Sequence, residues 1–219
     1  MGNGGRVVLV TGVSRDLGRR FAVSMSAHPE VARVIGVDVV PPRGDLGDVS
    51  FVRADIRNPI IAKVIAKEDV DTVVHMSVIA TPGSAGGRHT MKELNVIGTM
   101  QLLAACQKAP GLRHLVVKST TTVYGASSRD PAMFTEDMQP RRAHQSGYSK
   151  DAAEVEGYVR GFGRRPELFG GFGAGSADPA TGAVVSVGQF RSFGDRGIVT
   201  TINRSAEETI EATVFVYCR

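Results

Sequence analysis

The chain has 219 residues, 42% of them hydrophobic and 22% charged, a content that supports a real core and excludes a disordered tail. Its net charge of +4 is spread over scattered pairs such as Arg19-Arg20, Arg141-Arg142 and Arg164-Arg165, without a stripe or interleaved aromatics, so no nucleic-acid partner is expected. Cys106 and Cys218 are the only cysteines and lack metal-ligand spacing, and no apolar run approaches the roughly 18 residues that cross a bilayer; the expectation is a cytoplasmic protein without disulfides, metal site or membrane segment.

From Arg6 onward, short β-branched runs alternate with longer helical patterns, the sign of a parallel sheet covered by helices on both faces. Val7 to Val10 reads as the first strand. Thr11 to Gly18 follows as a loop that opens a helix through Phe21, Ala22 and Met25, stopped near His28-Pro29 by proline. Val34 to Asp38 is a second strand, and after the Pro41-Pro42 turn Phe51-Val52 is a third. Asn58-Pro59 starts a helix with an apolar stripe at Ile60, Ile61, Val64 and Ile65, and Asp71 to His75 is the fourth strand. The spacing of Met91, Leu94, Val96, Ile97, Met100, Leu103 and Cys106 predicts one helix over about Arg88 to Lys108, with Leu115 to Lys118 as the fifth strand. Such a series predicts an α/β fold with a doubly wound parallel sheet.

The composition changes after Arg165. Residues 166–219 contain no lysine, histidine or methionine and one leucine, Leu168, while Gly161 to Gly175 holds six glycines. Ala183 to Val187, Ile198 to Ile202 and Thr213 to Tyr217 read as strands, a meander added to the sheet edge. The expected division is therefore a nucleotide-binding domain over 1–165 and a divergent, irregular or β-rich tail over 166–219.

The loop Thr11-Gly12-Val13-Ser14-Arg15-Asp16-Leu17-Gly18 lies between a strand and a helix, where backbone amides and the helix dipole accept a diphosphate. Glycine at such a turn also serves geometry alone. Asp38 ends the next strand, where a carboxylate accepts both ribose hydroxyls of an adenosine and repels a 2′-phosphate, which favours NAD over NADP. An aspartate after a strand also caps turns.

Taken in order, these motifs resemble the extended short-chain dehydrogenase/reductases, and among them the epimerase/dehydratase group typified by UDP-glucose 4-epimerase. The resemblance covers about Arg6 to Pro166. It rests on Thr11 to Gly18 (TGxxGxxG), Asp38, Ala54-Asp55-Ile56-Arg57, Val73 to Ser77 (for VVHLAA), Asn95 to Thr99 (NVxGT), Ser119 to Gly125 (SSxxVYG) and Ser149 to Glu154 (SKxxxE). It implies a Rossmann-like fold and an NAD(P) ligand held by Gly12, Arg15, Asp16, Leu17, Gly18, Asp38, Asp55, Ile56 and Lys150. It also implies a nucleotide-sugar substrate, Thr120 as the hydroxyl that bonds the substrate oxygen, and a homodimer paired through the helices containing Asn95 and Lys150.

Three positions depart from that pattern. Arg15 replaces the middle glycine of the loop, so its side chain points away from the diphosphate or pairs with it. The family tyrosine, the acid/base of hydride transfer, stands four residues before the lysine; here that position is Ser146, a far weaker acid than a phenol. Tyr148 lies two residues before Lys150, and residues two apart on a helix face nearly opposite sides, so Tyr148 replaces the missing base only if the segment before Ser149 is not helical. A Ser146–Lys150 nucleophile pair is the third use of these residues, but no oxyanion-hole motif accompanies it. Finally, the family's substrate lobe has no counterpart after Pro166, as in a short divergent member, or in a truncated or frameshifted chain whose tail is unrelated sequence. Two functions stand against each other: an epimerase/dehydratase-type oxidoreductase or isomerase, and an NAD(P)-binding regulatory module that has lost its chemistry.

Overall fold

The β-branched run after Gly5 forms β1 (Arg6–Thr11), the middle strand of a parallel group. The computed structural model describes residues 5–80, 82–124, 147–164, 184–189, 197–203 and 211–217. On one side of β1 lie β2 (Val31–Asp38) and β3 (Ser50–Arg53); on the other lie β4 (Thr72–His75) and β5 (His114–Thr120). All four pairings in the order β3-β2-β1-β4-β5 are parallel. The fold is thus the Rossmann-like doubly wound sheet expected from the pattern.

Both faces of the sheet are covered, which is why its strands are apolar runs rather than alternating ones. Val8, Val10, Val34 and Val74 share a cluster with Ala22 of α1 (Asp16–Ser26). Leu9, Ile35 and Val73 point to the opposite face, into a cluster with Ile61 and Ile65 of α2 (Ile60–Lys67) and with Leu102, Val155 and Val159. Each fully buried side chain of this size contributes about 1.5–3 kcal/mol through lost water contact.

The helix expected over about Arg88–Lys108 is present as one continuous helical run, α3 (Arg88–Lys92), a π turn (Glu93–Ile97) and α4 (Gly98–Gln107), widened at its middle by the π turn. Polar side chains accompany the widened turn. Thr99 Oγ1 donates to the Asn95 carbonyl at 2.5 Å, and the Asn95 amide accepts from Ile79 N at 2.7 Å and donates to Ile79 O at 2.8 Å. The spacing of apolar residues predicts a helix here but does not by itself show where a turn closes i to i+5 in place of i to i+4.

α5 (Gly147–Arg164) packs against β5 and α4. Beyond β5 the sheet continues with β8 (Glu211–Tyr217), parallel to β5, then β7 (Gly197–Asn203) and β6 (Val184–Gln189), both antiparallel. These strands fall where the sequence expects a meander at the sheet edge; the stretch 165–183 lies outside the described residues. No helix among the described residues is long and apolar enough to cross a membrane, and none of their His, Cys, Asp and Glu side chains cluster in threes to hold a metal ion.

Candidate functional site

Strand order reverses between β1 and β4, and the crevice outside their carboxyl ends is where such sheets bind ligands. Two glycines shape its floor. Gly12 has φ +80, and a Cβ there would come within 2.9 Å of Met76 C and Ser77 N; a Cβ on Gly18 would sit 2.2 Å from Gly12 O. Helix α1 can therefore start directly over the end of β1, with the free amides of its first turn, at Asp16 and Leu17, beside the crevice. The Asp16 side chain faces solvent and pairs with Arg19 and Arg20.

Arg15 is the N-cap of α1, with φ −97 and ψ 149. This is ordinary extended backbone, so the turn keeps its shape with a side chain where the family pattern has glycine. Asp38, at the end of β2, accepts Ser14 N at 3.0 Å on Oδ2 and Val39 N at 2.8 Å on Oδ1. It does tie the loop, as a turn aspartate would, yet each oxygen retains a further lone pair for a ribose hydroxyl.

Past β3, Asp55 is held by a bidentate pair with Arg57 (Nη2 to Oδ2 2.6 Å, Nε to Oδ1 3.0 Å) and accepts Arg57 N at 2.9 Å. Those bonds hold its carboxyl below the usual range. Asp55, Arg57, Asn58 and Pro59 line an open cavity of about 400 Å³. Ile56 is buried behind it, against the position a Cβ on Gly98 would take, so Gly98 lets α4 approach this segment.

The crevice floor is a buried polar chain: Thr11 Oγ1 meets His75 Nδ1 at 2.7 Å, and His75 Nε2 meets Thr99 Oγ1 at 2.9 Å. Burial, with the nearby Lys118 charge, pushes His75 down to about 3, so it is a neutral tie and not an acid/base. Lys118, on β5, donates to Val78 O at 3.0 Å in the segment after β4. Burial, then the Arg15 charge, lowers it to about 8. Lys118 was missed in the sequence reading; the signal was a lysine inside an interior strand, two residues before Thr120 and on the same strand face.

At the far end, Tyr148 shares a hydrogen bond with the Thr120 hydroxyl; burial raises the phenol above its ordinary value and that bond pulls it back. Helix α5 already includes Tyr148, so the non-helical condition set for its use is not met. The face argument nonetheless concerned Lys150, and what the phenol reaches is Thr120. Lys150 is exposed, in keeping with two residues on different sides of one helix. Ser146 lies outside the described residues. Behind Thr120, Ser119 donates to the buried Glu156 carboxylate at 2.5 Å, and Arg88 grips Asp151 (Nη1 to Oδ2 2.5 Å, Nη2 to Oδ1 2.7 Å). Neither acid had been singled out from sequence.

Comparison with known proteins decides the family, since residues 8–173 match the NAD dependent epimerase/dehydratase family. The chain belongs to this family. An uncharacterized protein of Mycobacterium tuberculosis is 52% identical over 164 residues, covering 73% of this chain and 44% of its own length. The UDP-glucose 4-epimerase of Neisseria meningitidis serogroup C is 27% identical over 144 residues, covering 61% of this chain and 41% of its own. Among solved structures, the dTDP-glucose 4,6-dehydratase of Bacillus anthracis in complex with NAD superposes with TM-score 0.62 at 26% identity, covering 75% of this chain and 52% of that one. The UDP-glucose 4-epimerase of Thermus thermophilus in complex with NAD gives 0.60 at 26% identity, with 72% and 51% covered. The chain thus spans about half or less of the length of these relatives.

Proposed function

We propose that this family member binds NAD across the carboxyl ends of β1, β2 and β4 and exchanges hydride with a nucleotide sugar in an epimerase- or dehydratase-type reaction. The observation that carries the reading is the Tyr148–Thr120 hydrogen bond beside the crevice. It pairs a phenol with the hydroxyl expected to hold the substrate oxygen, although Ser146 occupies the family's tyrosine position.

The residues present fit the cofactor. Gly12 and Gly18 let the loop, the chain after β4 and the start of α1 pack backbone to backbone, and the first amides of α1, at Asp16 and Leu17, meet the diphosphate. Arg15 and Lys118 add positive charge there. Asp38 takes the adenosine ribose hydroxyls and repels a 2′-phosphate, while Asp55 and Ile56 border the adenine. Lys150 is assigned to the nicotinamide ribose. When bound, the nicotinamide supplies a hydride acceptor. Tyr148 moves the proton: as the phenolate it takes the hydroxyl proton of the sugar carbon being oxidised, and as the phenol it returns a proton to the carbonyl oxygen on reduction. Burial favours the phenol, the proton-giving form.

A second reading, an NAD(P)-binding regulatory module without turnover, draws on the exposure of Lys150 and on Ser146 at the family's tyrosine position. Calorimetry and nicotinamide absorbance separate the two. NAD should bind more tightly than NADP, UDP-hexoses should change the absorbance of bound NAD, and Tyr148→Phe should slow that change by about 10²–10⁴-fold. Binding without any turnover leaves the regulatory module; binding of neither nucleotide ends both readings.

A further inference from the structure

The first turn of α5 carries the proposed acid/base, and the first turn of a helix is its weakest part. Its first four backbone N–H groups have no partner within the helix, and it frays on fast timescales unless tied. Here the turn begins at Gly147 with φ +55, and Tyr148 is the next residue.

Among the described residues, the Arg88 side chain ties this turn from outside. Arg88, the first residue of α3, gives Nη1 to Asp151 Oδ2 at 2.5 Å and Nη2 to Asp151 Oδ1 at 2.7 Å. The same Nη2 also donates to Gly147 O at 3.0 Å. Gly147 and Asp151 stand one helical turn apart on the same face, so a single guanidinium spans the turn that contains Tyr148. Asp151 is 1% exposed and Arg88 40%. A buried carboxylate needs its partner: a bidentate guanidinium fixes orientation as well as charge, whereas an ammonium supplies a point charge only. On the other side of the turn, Tyr148 packs with Val123, Tyr124 and Ala152, and its phenol meets Thr120. Gly86 (φ +81) and Gly87 (φ +128) precede Arg88, and they deliver it to this place through backbone that other residues rarely adopt.

We propose that Arg88 is a positioning residue for the acid/base. By bridging Gly147 and Asp151 it holds the first turn of α5 so that Tyr148, two residues before Lys150, faces Thr120. The shifted tyrosine and the clamp form one device: a phenol moved half a turn along the helix reaches the substrate hydroxyl's partner only if that turn is set in one orientation. This rests on the reading of Tyr148 as the acid/base group.

The test uses the full chain with Arg88→Met, Arg88→Lys and Tyr148→Phe. The Tyr148 phenol is titrated by ultraviolet difference spectra against Tyr148→Phe, alongside NAD affinity by calorimetry and the rate of the nicotinamide absorbance change with a UDP-hexose. In Arg88→Met the phenol should titrate at a lower pH, toward the ordinary value, as it leaves its buried partner. The rate should fall at least tenfold with NAD affinity within about twofold, and Arg88→Lys should recover only part of both. A Tyr148 titration unchanged in Arg88→Met overturns the proposal. If that variant does not fold, Arg88→Lys decides by the same titration, with an unchanged curve again overturning it. A rate that survives Tyr148→Phe, with the titration still responding to Arg88, removes Tyr148 as the base but leaves the clamp standing, so the two failures are distinct.

Discussion

Lys118 is the residue whose charge state matters most for the cofactor reading. Two elements crowd it: the loop carrying Arg15, whose charge repels it, and the end of β4 and the segment after it, where His75 is neutral and Val78 O accepts a hydrogen bond from it. Its folded value of about 8 lies below the ordinary 10.5. Between those two values the unfolded chain holds more protons. The charged lysine therefore costs stability below pH 8, and this cost is relieved as pH rises toward 10.5. Diphosphate binding runs the other way, because it favours the charged form. NAD affinity should fall about tenfold between pH 7 and pH 9. Lys118→Met should bind more weakly at pH 7 and lose that pH slope; calorimetry that finds the slope intact would remove Lys118 from the site. None of this was visible in the motifs, none of which includes Lys118.

At the scale of elements, the strands, α1, α2 and the helical run of α3 and α4 were legible because their apolar spacing depends on burial, and burial here is thorough; α5 was expected only from the Ser149 to Glu154 motif. What spacing could not convey was the π turn, which side-chain hydrogen bonding by Asn95 and Thr99 accompanies. Nor could it convey the aim of Tyr148, which depends on how α5 lies against β5 and not on its own period. The cofactor loop was legible as a turn into a helix, and Arg15 stands in it on ordinary extended backbone. The elements also leave apolar surface uncovered. Ile97 is 46%, Met100 41% and Tyr158 37% exposed, on or beside α4 and α5, which pack together. Pairing of two copies through these helices, as the family resemblance implies, would cover them. Light scattering should then give twice the 23.2 kDa chain mass for the wild type and the chain mass for an Ile97→Glu, Met100→Glu double variant. A monomeric wild type would show that this surface has another use.

For the molecule as a whole, the tie through His75 links β1, β4 and α4, so its protonation is a global event. With a folded value of about 3 against 6.5, the unfolded chain gains a proton that the folded chain refuses, and stability is lost as pH falls through that window. Urea unfolding should give about 2 kcal/mol less stability at pH 5 than at pH 7 from this group, and His75→Gln should flatten that difference. The same unfolding curves bear on the division into 1–165 and 166–219, which we keep as a proposal. Because β8 pairs along β5, one cooperative transition is expected, and two separated transitions would mark the tail as an independent unit. The close approach of Gly12 to the chain after β4 has a wider consequence. With no room for even a methyl group between them, the loop and the end of β4 must move together or not at all. The crevice floor is then set before any ligand arrives, so little ordering entropy is lost there on binding. Adaptation to a different nucleotide falls to the rim, where Asp38 and Arg15 can be exchanged one at a time without reshaping the sheet beneath.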